Sequence, residues 1–248
     1  MTSDVPTSRI GPNPGKNLEI NVDGIVYLRL PVKTPLLTEK SDLVATIKKF
    51  AGPHLTPGDV LFVSEKVVAV TQGRIVNIND IKPSKLARFL ARKVRNHYGT
   101  KDFKGFGHGT PMAMQLLIDE AGYLRVLFAA AVAAVTRPIG IKGAFYYLCG
   151  KLAKSVDCPM SFSILEYAHY AKRAPKDPNG VARTIRAALS CETVILDANY
   201  IGAFSLGKTT RRISEKFIGK LFADNPAGQS SEMTPFLIVR KSEIPRSA

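Results

Sequence analysis

The stretch TVILDANYIGAFSLGKT, residues 193–209, is compatible with two different folds. It begins with TVILD, an apolar and β-branched run that predicts a buried strand ending on a carboxylate. It ends with GAFSLGKT, which fits the pattern G-x-x-x-x-G-K-[ST], in which a glycine-rich backbone holds phosphate at the start of a helix. Phe204 and Leu206 are bulky where that backbone must approach phosphate, and residues 210–248 are too few to supply the later strands of a P-loop sheet. An ordinary turn is therefore favoured, and a P-loop NTPase that uses Gly202–Thr209 stays an alternative.

Strands and helices alternate irregularly around this stretch. Strands are predicted for a hairpin about Asp23-Gly24 and for GDVLFV (58–63), VVAV (67–70) and PFLIVR (235–240). Helices are predicted to begin at Ser41, at Ser84 and after Asp177, with a last amphipathic helix over 211–222. Because no regular strand–helix–strand repeat is present, the sequence predicts an α+β fold with mixed, largely antiparallel sheets and flanking helices.

The first 17 residues differ in composition from the rest of the chain. They contain three prolines and two glycines and almost nothing apolar, so residues 1–17 are predicted to be a mobile N-terminal tail. Residues 18–248 then form the folded part, either as one unit or as two interleaved lobes.

Cysteine usage and hydropathy favour a cytoplasmic protein. Cys149, Cys158 and Cys191 are widely spaced and form no CxxC pair, which argues against disulfides and for a reducing compartment. The longest apolar run, residues 126–136, is about half of the roughly 20 residues that a membrane-spanning helix needs. It predicts a core helix or a buried strand, and no membrane partner is expected.

The charge balance points to a negatively charged partner. Lys and Arg number 35 against 20 Asp and Glu, an excess of +15 in 248 residues. Basic residues crowd the helix that begins at Ser84 and recur at Arg173, Lys176, Arg183 and Arg186. No zinc-finger, RNP or recognition-helix pattern accompanies them, so nucleic acid is not the expected ligand. A non-catalytic basic protein that binds nucleic acid or acidic partners nevertheless stays an alternative.

Asp197 is the carboxylate most suited to a site. It stands at the carboxyl end of an apolar strand, a usual place to hold a divalent ion or to orient a nucleotide. Asn199 follows two residues later, and its side chain lies on the same side if the chain stays extended.

Six segments, in order, resemble one known family. They are TPLLTEKSDLVATI (34–47), GDVLFVSEKVVAVTQGRIV (58–76), IKPSKLARFLARKV (81–94), DPNGVARTIRAAL (177–189), VILDAN (194–199) and GQSSEMTPFLIV (228–239). Together they are similar to the coenzyme F-420-0:L-glutamate ligase family, also called F-420 gamma-glutamyl ligases. The resemblance implies a gamma-glutamyl-ligase-like α+β fold and a homodimer. It also implies a diverged member, since Val70 stands where the family has a lysine that contacts the nucleotide.

The resemblance also implies an activity. In the family, GTP phosphorylates a carboxylate of the coenzyme F-420 precursor, and the amine of L-glutamate then displaces phosphate to form an amide. Divalent Mg²⁺ or Mn²⁺ assists, with GTP as co-substrate. The positive charge of this chain suits such polyanionic substrates, and cations are needed to bring two anions together.

Carried over position by position, the family's site falls on residues in four of these segments and on Asp157, which lies between the third and the fourth. Thr34, Pro35, Leu36 and Leu37 would wrap the nucleotide, and Glu65 and Lys66 would contact it at a strand–helix turn. Asp157, Asp197 and Gln229 would be the metal ligands, with Gln229 also touching the nucleotide. The catalytic residues expected from the resemblance are Lys66 and Asp197.

Overall fold

The computed structural model describes residues 10–93, 109–158, 167–199, 202–228 and 232–242. These residues form eight strands and nine α-helices. The strands are β1 (Glu19–Val22), β2 (Ile25–Val32), β3 (Val60–Ser64), β4 (Ile75–Asn77), β5 (Tyr170–Lys172), β6 (Glu192–Asn199), β7 (Gly202–Lys208) and β8 (Phe236–Lys241). The helices are α1 (Leu43–Phe50), α2 (Glu65–Thr71), α3 (Lys85–Lys93), α4 (Pro111–Ala121), α5 (Tyr123–Thr136), α6 (Ala144–Cys149), α7 (Lys151–Lys154), α8 (Pro178–Leu189) and α9 (Glu215–Leu221).

The chain divides into two compact units. Unit 1 comprises residues 1–72 and 176–248, and unit 2 comprises residues 73–175. Unit 1 contains a six-stranded mixed sheet in the order β1-β2-β8-β3-β6-β7, and unit 2 contains the two-stranded sheet β4-β5. Only β3 and β6 pair in parallel, and all other neighbours in the two sheets are antiparallel. The predicted α+β fold is therefore confirmed.

The six-stranded sheet of unit 1 is covered on both faces. Along β3, Leu61 and Val63 pack into a core shared with α1 and α8, whereas Phe62 packs on the opposite face with Phe222 and the residues of α9. This alternation follows from the two-residue period of a strand. All three side chains are fully buried, as the apolar sequence of β3 predicts.

Local signals in the sequence locate most elements of unit 1 correctly. Val22 pairs with Ile25, and Asp23 and Gly24 both have positive φ, as a two-residue hairpin turn requires. Asp177 caps α8 by accepting a hydrogen bond from the Gly180 amide, which confirms the predicted start of that helix.

The strand predicted for VVAV (67–70) is wrong. These residues lie in α2, which begins where the Ser64 side chain accepts a hydrogen bond from the Lys66 amide. Val68 packs into the core beneath the sheet, so burial on a helix outweighs the β propensity of the valines.

Residues 10–17, predicted to be part of a mobile tail, lie against unit 1. Ile10 forms a bridge with Val32, and the side chain of Asn13 is buried and donates hydrogen bonds to Pro226 O at 2.8 Å and Thr234 Oγ1 at 2.9 Å. Residues 1–9 of the predicted tail lie outside the described part of the chain.

Unit 2 is mainly helical. The apolar run 126–136 is part of α5, where Val126 and Ala129 are buried but several of its other side chains are exposed, so the prediction of a core helix holds for one face alone. Within the described ranges, no helix has the length and apolar character needed to cross a lipid bilayer.

Candidate functional site

Three strands of unit 1 end at the same edge of the sheet. Strand β3 runs parallel to β6, and both β2 and β3 run antiparallel to β8, so β2, β3 and β6 point in one direction. We call the end where these three strands finish the carboxyl edge. In open sheets with parallel strands, ligands bind outside the carboxyl ends of those strands. The carboxyl edge is therefore the first place to look for a site.

The segment Thr34–Leu37 follows β2 at this edge. Thr34 is buried, and its amide donates a hydrogen bond to Met233 O at 2.9 Å. Leu37 is buried in the core, whereas Pro35 is exposed. The segment thus has one anchored end and one accessible turn.

Glu65 and Lys66 follow β3 at the same edge. The Ser64 amide donates to Pro235 O at 2.8 Å, which joins the end of β3 to the residue just before β8. Glu65 is buried and Lys66 is half-buried at the first turn of α2.

Asp197 lies next to this turn. Leu196 pairs with Ser64 across the parallel strands, so Asp197 and Glu65 leave neighbouring positions that are roughly 5 Å apart. Asp197 is half-buried and lies opposite Phe204 of β7, and Asn199 lies opposite Gly202. The strand predicted to end on Asp197 therefore continues for two more residues.

Gln229 lies outside the described residues, but both flanks of its loop are placed. Gly228 precedes it with a φ of +74°, and Pro235 contacts the carboxyl edge. Thr234 Oγ1 donates to Ala227 O at 2.8 Å and accepts from Asn13, so Asn13 ties the two flanks together. Sequence reasoning missed Asn13, because its surroundings of proline and glycine gave no sign that it is buried.

The predicted set of metal ligands is not tested by the structure, because Gln229 lies outside the described residues and the two aspartates belong to different units. Asp157 belongs to unit 2, where its backbone forms a bridge with Lys172, and Asp197 belongs to unit 1. Over the residues that the structure describes, no group of three or more His, Cys, Asp or Glu side chains could hold a metal ion. The set Asp157, Asp197 and Gln229 stays a prediction.

The P-loop alternative is wrong. Gly202–Lys208 is strand β7, paired along its length with β6, rather than a loop that enters a helix. The Lys208 ammonium donates to Ile213 O at 2.6 Å and lies 3.5 Å from Glu215 Oε1. The motif lysine is thus held by the protein's own carbonyl and carboxylate.

A cavity of about 470 Å³ lies at the opposite edge of the sheet. It is lined by Val60, Arg186, Glu192, Thr209, Thr210, Arg212 and Ile213. Val60 begins β3 and Glu192 begins β6, so this cavity is remote from the carboxyl edge within unit 1. The carboxylate in this cavity, Glu192, forms an ion pair with Arg186 at 3.2 Å and accepts a hydrogen bond from Thr209. None of the predicted site residues lines it.

The carboxyl edge of unit 1 brings Thr34–Leu37, Glu65, Lys66 and Asp197 to the ends of three strands. This convergence makes it the candidate functional site of an α+β protein. Residues 31–141 match the model of the F420-0:Gamma-glutamyl ligase family, which confirms the resemblance over just under half of the chain. Thr34–Leu37, Glu65 and Lys66 fall within the matched range, whereas Asp157, Asp197 and Gln229 lie beyond it. The family is one of ligases, which supports an enzyme. No curated protein matches the chain significantly.

Proposed function

We propose that this chain is a GTP-dependent ligase that forms a gamma-glutamyl-type amide bond at the carboxyl edge of unit 1. The observation that carries the proposal is the convergence of Thr34–Leu37, Glu65, Lys66 and Asp197 at the ends of β2, β3 and β6. The match to the gamma-glutamyl ligase family supports the same class of reaction. The proposed acceptor is a coenzyme F420 precursor or a related acidic molecule, and the proposed amine is L-glutamate.

The proposed reaction has two steps. A carboxylate oxygen of the acceptor attacks the γ-phosphorus of GTP, the bond to the β–γ bridging oxygen breaks, and an acyl phosphate and GDP result. The amine of L-glutamate then attacks the acyl carbon, phosphate leaves with the electron pair of the broken C–O bond, and the amine gives up a proton. The first step brings two anions together, and the second builds negative charge on the acyl oxygen and the leaving phosphate, so positive charge at the site lowers both barriers.

Residues at the carboxyl edge have distinct proposed roles. Lys66 places a point charge on the phosphates, and a charge-assisted hydrogen bond of this kind contributes about 1.5–3 kcal/mol. The turn at Thr34–Leu37 covers the nucleotide, and the loop of Gln229 closes over it from the β8 side. Asp197 accepts hydrogen bonds from the nucleotide or the incoming ammonium at the strand end.

Divalent metal is a separate part of the proposal. Mg²⁺ or Mn²⁺ prefers oxygen ligands such as carboxylates and amide carbonyls. The described residues do not complete such a set, so no step above depends on a metal. A homodimer and a cytoplasmic location likewise remain expectations that follow from the resemblance and the composition.

Nucleotide binding at the carboxyl edge can be tested by thermal unfolding. The wild-type chain is heated with GTP, ATP or GDP, each with and without Mg²⁺ or Mn²⁺. Ligand at about 100 times its Kd should stabilise the protein by roughly 2.7 kcal/mol. Lys66→Ala should weaken GTP binding by roughly tenfold or more, because it removes the charge on phosphate.

Lys208→Ala is the matched control. It also removes a lysine from unit 1, but one that is bound to Ile213 O and Glu215 away from the carboxyl edge. Each variant is compared with its own unfolding temperature without nucleotide, so a loss of basal stability does not mimic a loss of binding. Absence of any nucleotide-dependent shift in the wild-type chain, or an equal loss in both variants, would overturn the proposal. Release of GDP with formation of a glutamyl amide, detected by mass, tests the acceptor and the amine.

A further inference from the structure

Helix α5 in unit 2 presents an apolar stripe to the outside. Leu124, Leu127, Phe128, Ala131, Ala134 and Val135 are exposed and recur at three- and four-residue spacing. Leu124 is 83% exposed, Phe128 is 62% exposed and Val135 is 72% exposed. Because residues at this spacing share one face of a helix, the six side chains form one continuous stripe, which we call the α5 stripe. It runs for most of the helix, whose 14 residues span about 21 Å.

The opposite face of α5 packs into the core of unit 2. Val126 and Ala129 are buried in a core with residues of α3, α4 and α6. The α5 stripe therefore lies on the face of the helix that does not pack into this core. Contiguous exposed apolar surface of this kind marks an interaction site more often than chance exposure of single residues.

Exposed basic residues flank the α5 stripe along the sequence, and we call them its basic border. Between Glu120 and Asp157 the sequence has no acidic residue and five basic ones, and all five are exposed: Arg125, Arg137, Lys142, Lys151 and Lys154. Unit 2 as a whole holds 16 of the 35 Lys and Arg but only 6 of the 20 Asp and Glu, so it carries ten of the fifteen excess positive charges. The partner of this surface must then offer both apolar and negatively charged groups.

Tyrosine side chains border the apolar surface. Tyr123 begins α5 and is 53% exposed, and Tyr147 on the adjoining α6 is 86% exposed. Tyrosine is enriched where protein meets the boundary between lipid headgroups and acyl chains, since its ring is apolar and its hydroxyl is polar. Ile139 and Ile141, both exposed, extend the apolar surface beyond the end of α5.

We infer that the α5 stripe and its basic border are a docking surface for an anionic lipid bilayer. An apolar helix face that lies in the headgroup boundary, with Lys and Arg toward anionic lipids, is the usual form of such surface binding. The 14 residues of α5 are too few to cross the bilayer, which needs about 20, so the helix would lie on the surface. The absence of a membrane-spanning helix among the described residues does not exclude a helix that binds on the surface of a bilayer.

Charge complementarity favours lipid over a second copy of the chain. In a two-fold dimer the same patch meets itself, so the basic border would face its own copy. Like charges brought together in an interface cost free energy, whereas an anionic bilayer neutralises them. A dimer through this face is therefore the competing outcome of the test.

The test is binding of the full chain to lipid vesicles. We expect it to float with vesicles of phosphatidylcholine mixed with phosphatidylglycerol, not with phosphatidylcholine alone, and to be released as salt is raised. The double variant Leu124→Gln with Phe128→Gln should abolish binding. The double variant Arg137→Gln with Lys142→Gln should weaken it by roughly tenfold or more, because each basic residue near an anionic surface contributes about fivefold.

Ile25→Gln in unit 1 is the control, because Ile25 is another exposed apolar residue, 37% exposed, and is not part of the α5 stripe. It should leave vesicle binding unchanged. Sedimentation without lipid is measured in parallel for all four proteins. If the wild-type chain does not bind anionic vesicles, or if the α5 stripe variant binds as well as wild type, the inference is wrong. A wild-type dimer that the α5 stripe variant converts to a monomer, without vesicle binding in either, would assign the face to a second copy instead.

Discussion

At the scale of single residues, the ion pair of Asp59 and Arg240 holds the start of the central strand. The Asp59 carboxylate is 1% exposed and accepts hydrogen bonds from Arg240 Nε and Nη2, each at 2.8 Å, and from the Thr56 amide at 2.8 Å. Burial by itself raises the pKa of Asp59, but the hydrogen bonds from Arg240 and Thr56 outweigh it and hold the pKa below its usual value. Asp59 therefore stays ionised in its buried position because Arg240 and Thr56 donate hydrogen bonds to it.

Arg240→Gln should therefore destabilise the protein by about 3–5 kcal/mol at neutral pH, because it leaves a buried charge without its cation. Urea unfolding measures the loss. The cost should shrink as pH falls below about 4, the ordinary pKa of an unfolded aspartate, because the wild-type protein then progressively loses the stabilisation that ionised Asp59 provides. Lys220→Gln is the control: it breaks a pair with the exposed Asp23, so its effect should be much smaller. Equal effects for the two variants would contradict this account.

The three cysteines lie in the interior of the protein. Cys149, Cys158 and Cys191 are all free and buried, as the absence of a CxxC pair indicates. Burial raises the pKa of these thiols to about 11, 12 and 11. Since the thiolate is the reactive form, none of them should act as a nucleophile in the folded chain.

We expect the folded protein to react slowly with an aromatic disulfide reagent at mildly alkaline pH. After unfolding in urea, its three thiols should react quickly and release three equivalents of the coloured reagent thiol. Absorbance of the released thiol measures both rates. A fast phase in the folded protein would show that at least one thiol is accessible and would contradict the description of the core.

At the scale of elements, the approach of α8 to β7 explains the glycine of the apparent phosphate-binding motif. A Cβ at Gly207 would lie 2.4 Å from Pro178 C and 2.6 Å from Asn179 N, both backbone atoms at the start of α8. The Lys208 amide also donates to Asn179 Oδ1 at 3.0 Å. The motif glycine is thus used for close packing of a helix on a strand.

Gly207→Ala should destabilise the protein by about 1–3 kcal/mol, because the added methyl forces α8 and β7 apart. Gly219→Ala in α9 is the matched control. Nothing lies within 4 Å of a Cβ at Gly219, so alanine should stabilise that helix by about 0.5–1 kcal/mol. Thermal unfolding of the two variants should shift in opposite directions, and a shift of the same sign in both would refute the packing role.

At the scale of the whole molecule, stability should depend on a few carboxylates in a very basic chain. Besides Asp59, Asp224 pairs with the guanidinium of Arg29, a side chain that is 1% exposed. Burial by itself raises the pKa of Asp224, but the hydrogen bonds and positive charge of Arg29, together with the charge of Lys16, hold the pKa below its usual value. A carboxyl group with a lowered pKa stabilises the folded state above its unfolded pKa and loses that effect as pH falls through the folded value.

The free energy of unfolding should accordingly be flat near neutral pH and fall as pH drops below about 4. Repulsion within a chain of net charge +15 grows in the same range, since acids that balance it become neutral. Urea titrations over pH measure the profile. Asp224→Asn should be less stable at neutral pH and show a shallower acid decline, and an unchanged acid decline would remove Asp224 from this explanation.

Much of unit 1 could be predicted from short runs of sequence. The hairpin at Asp23-Gly24, the cap of α8 at Asp177 and the strand at TVILD each depend on neighbours within a few residues, and their patterns therefore carry the information. The strand predicted for residues 67–70 was wrong because their valines favour a strand locally, whereas the Ser64 cap and the core beneath the sheet favour a helix. Propensity was outweighed by packing that no short window contains.

The chain order of the motifs was enough to suggest the ligase family and its residues, but it did not say where those residues meet. That Thr34, Lys66 and Asp197 share an edge depends on the antiparallel insertion of β8 between β2 and β3 and on the parallel register of β3 with β6. Pairing across such distances is decided by which faces can be buried together, as is the burial of Asn13 and the exposure of the α5 stripe. The local sequence determines whether a segment forms a strand or a helix. Which segments pack together is decided by the simultaneous burial of all their apolar faces, and only the tertiary structure shows it.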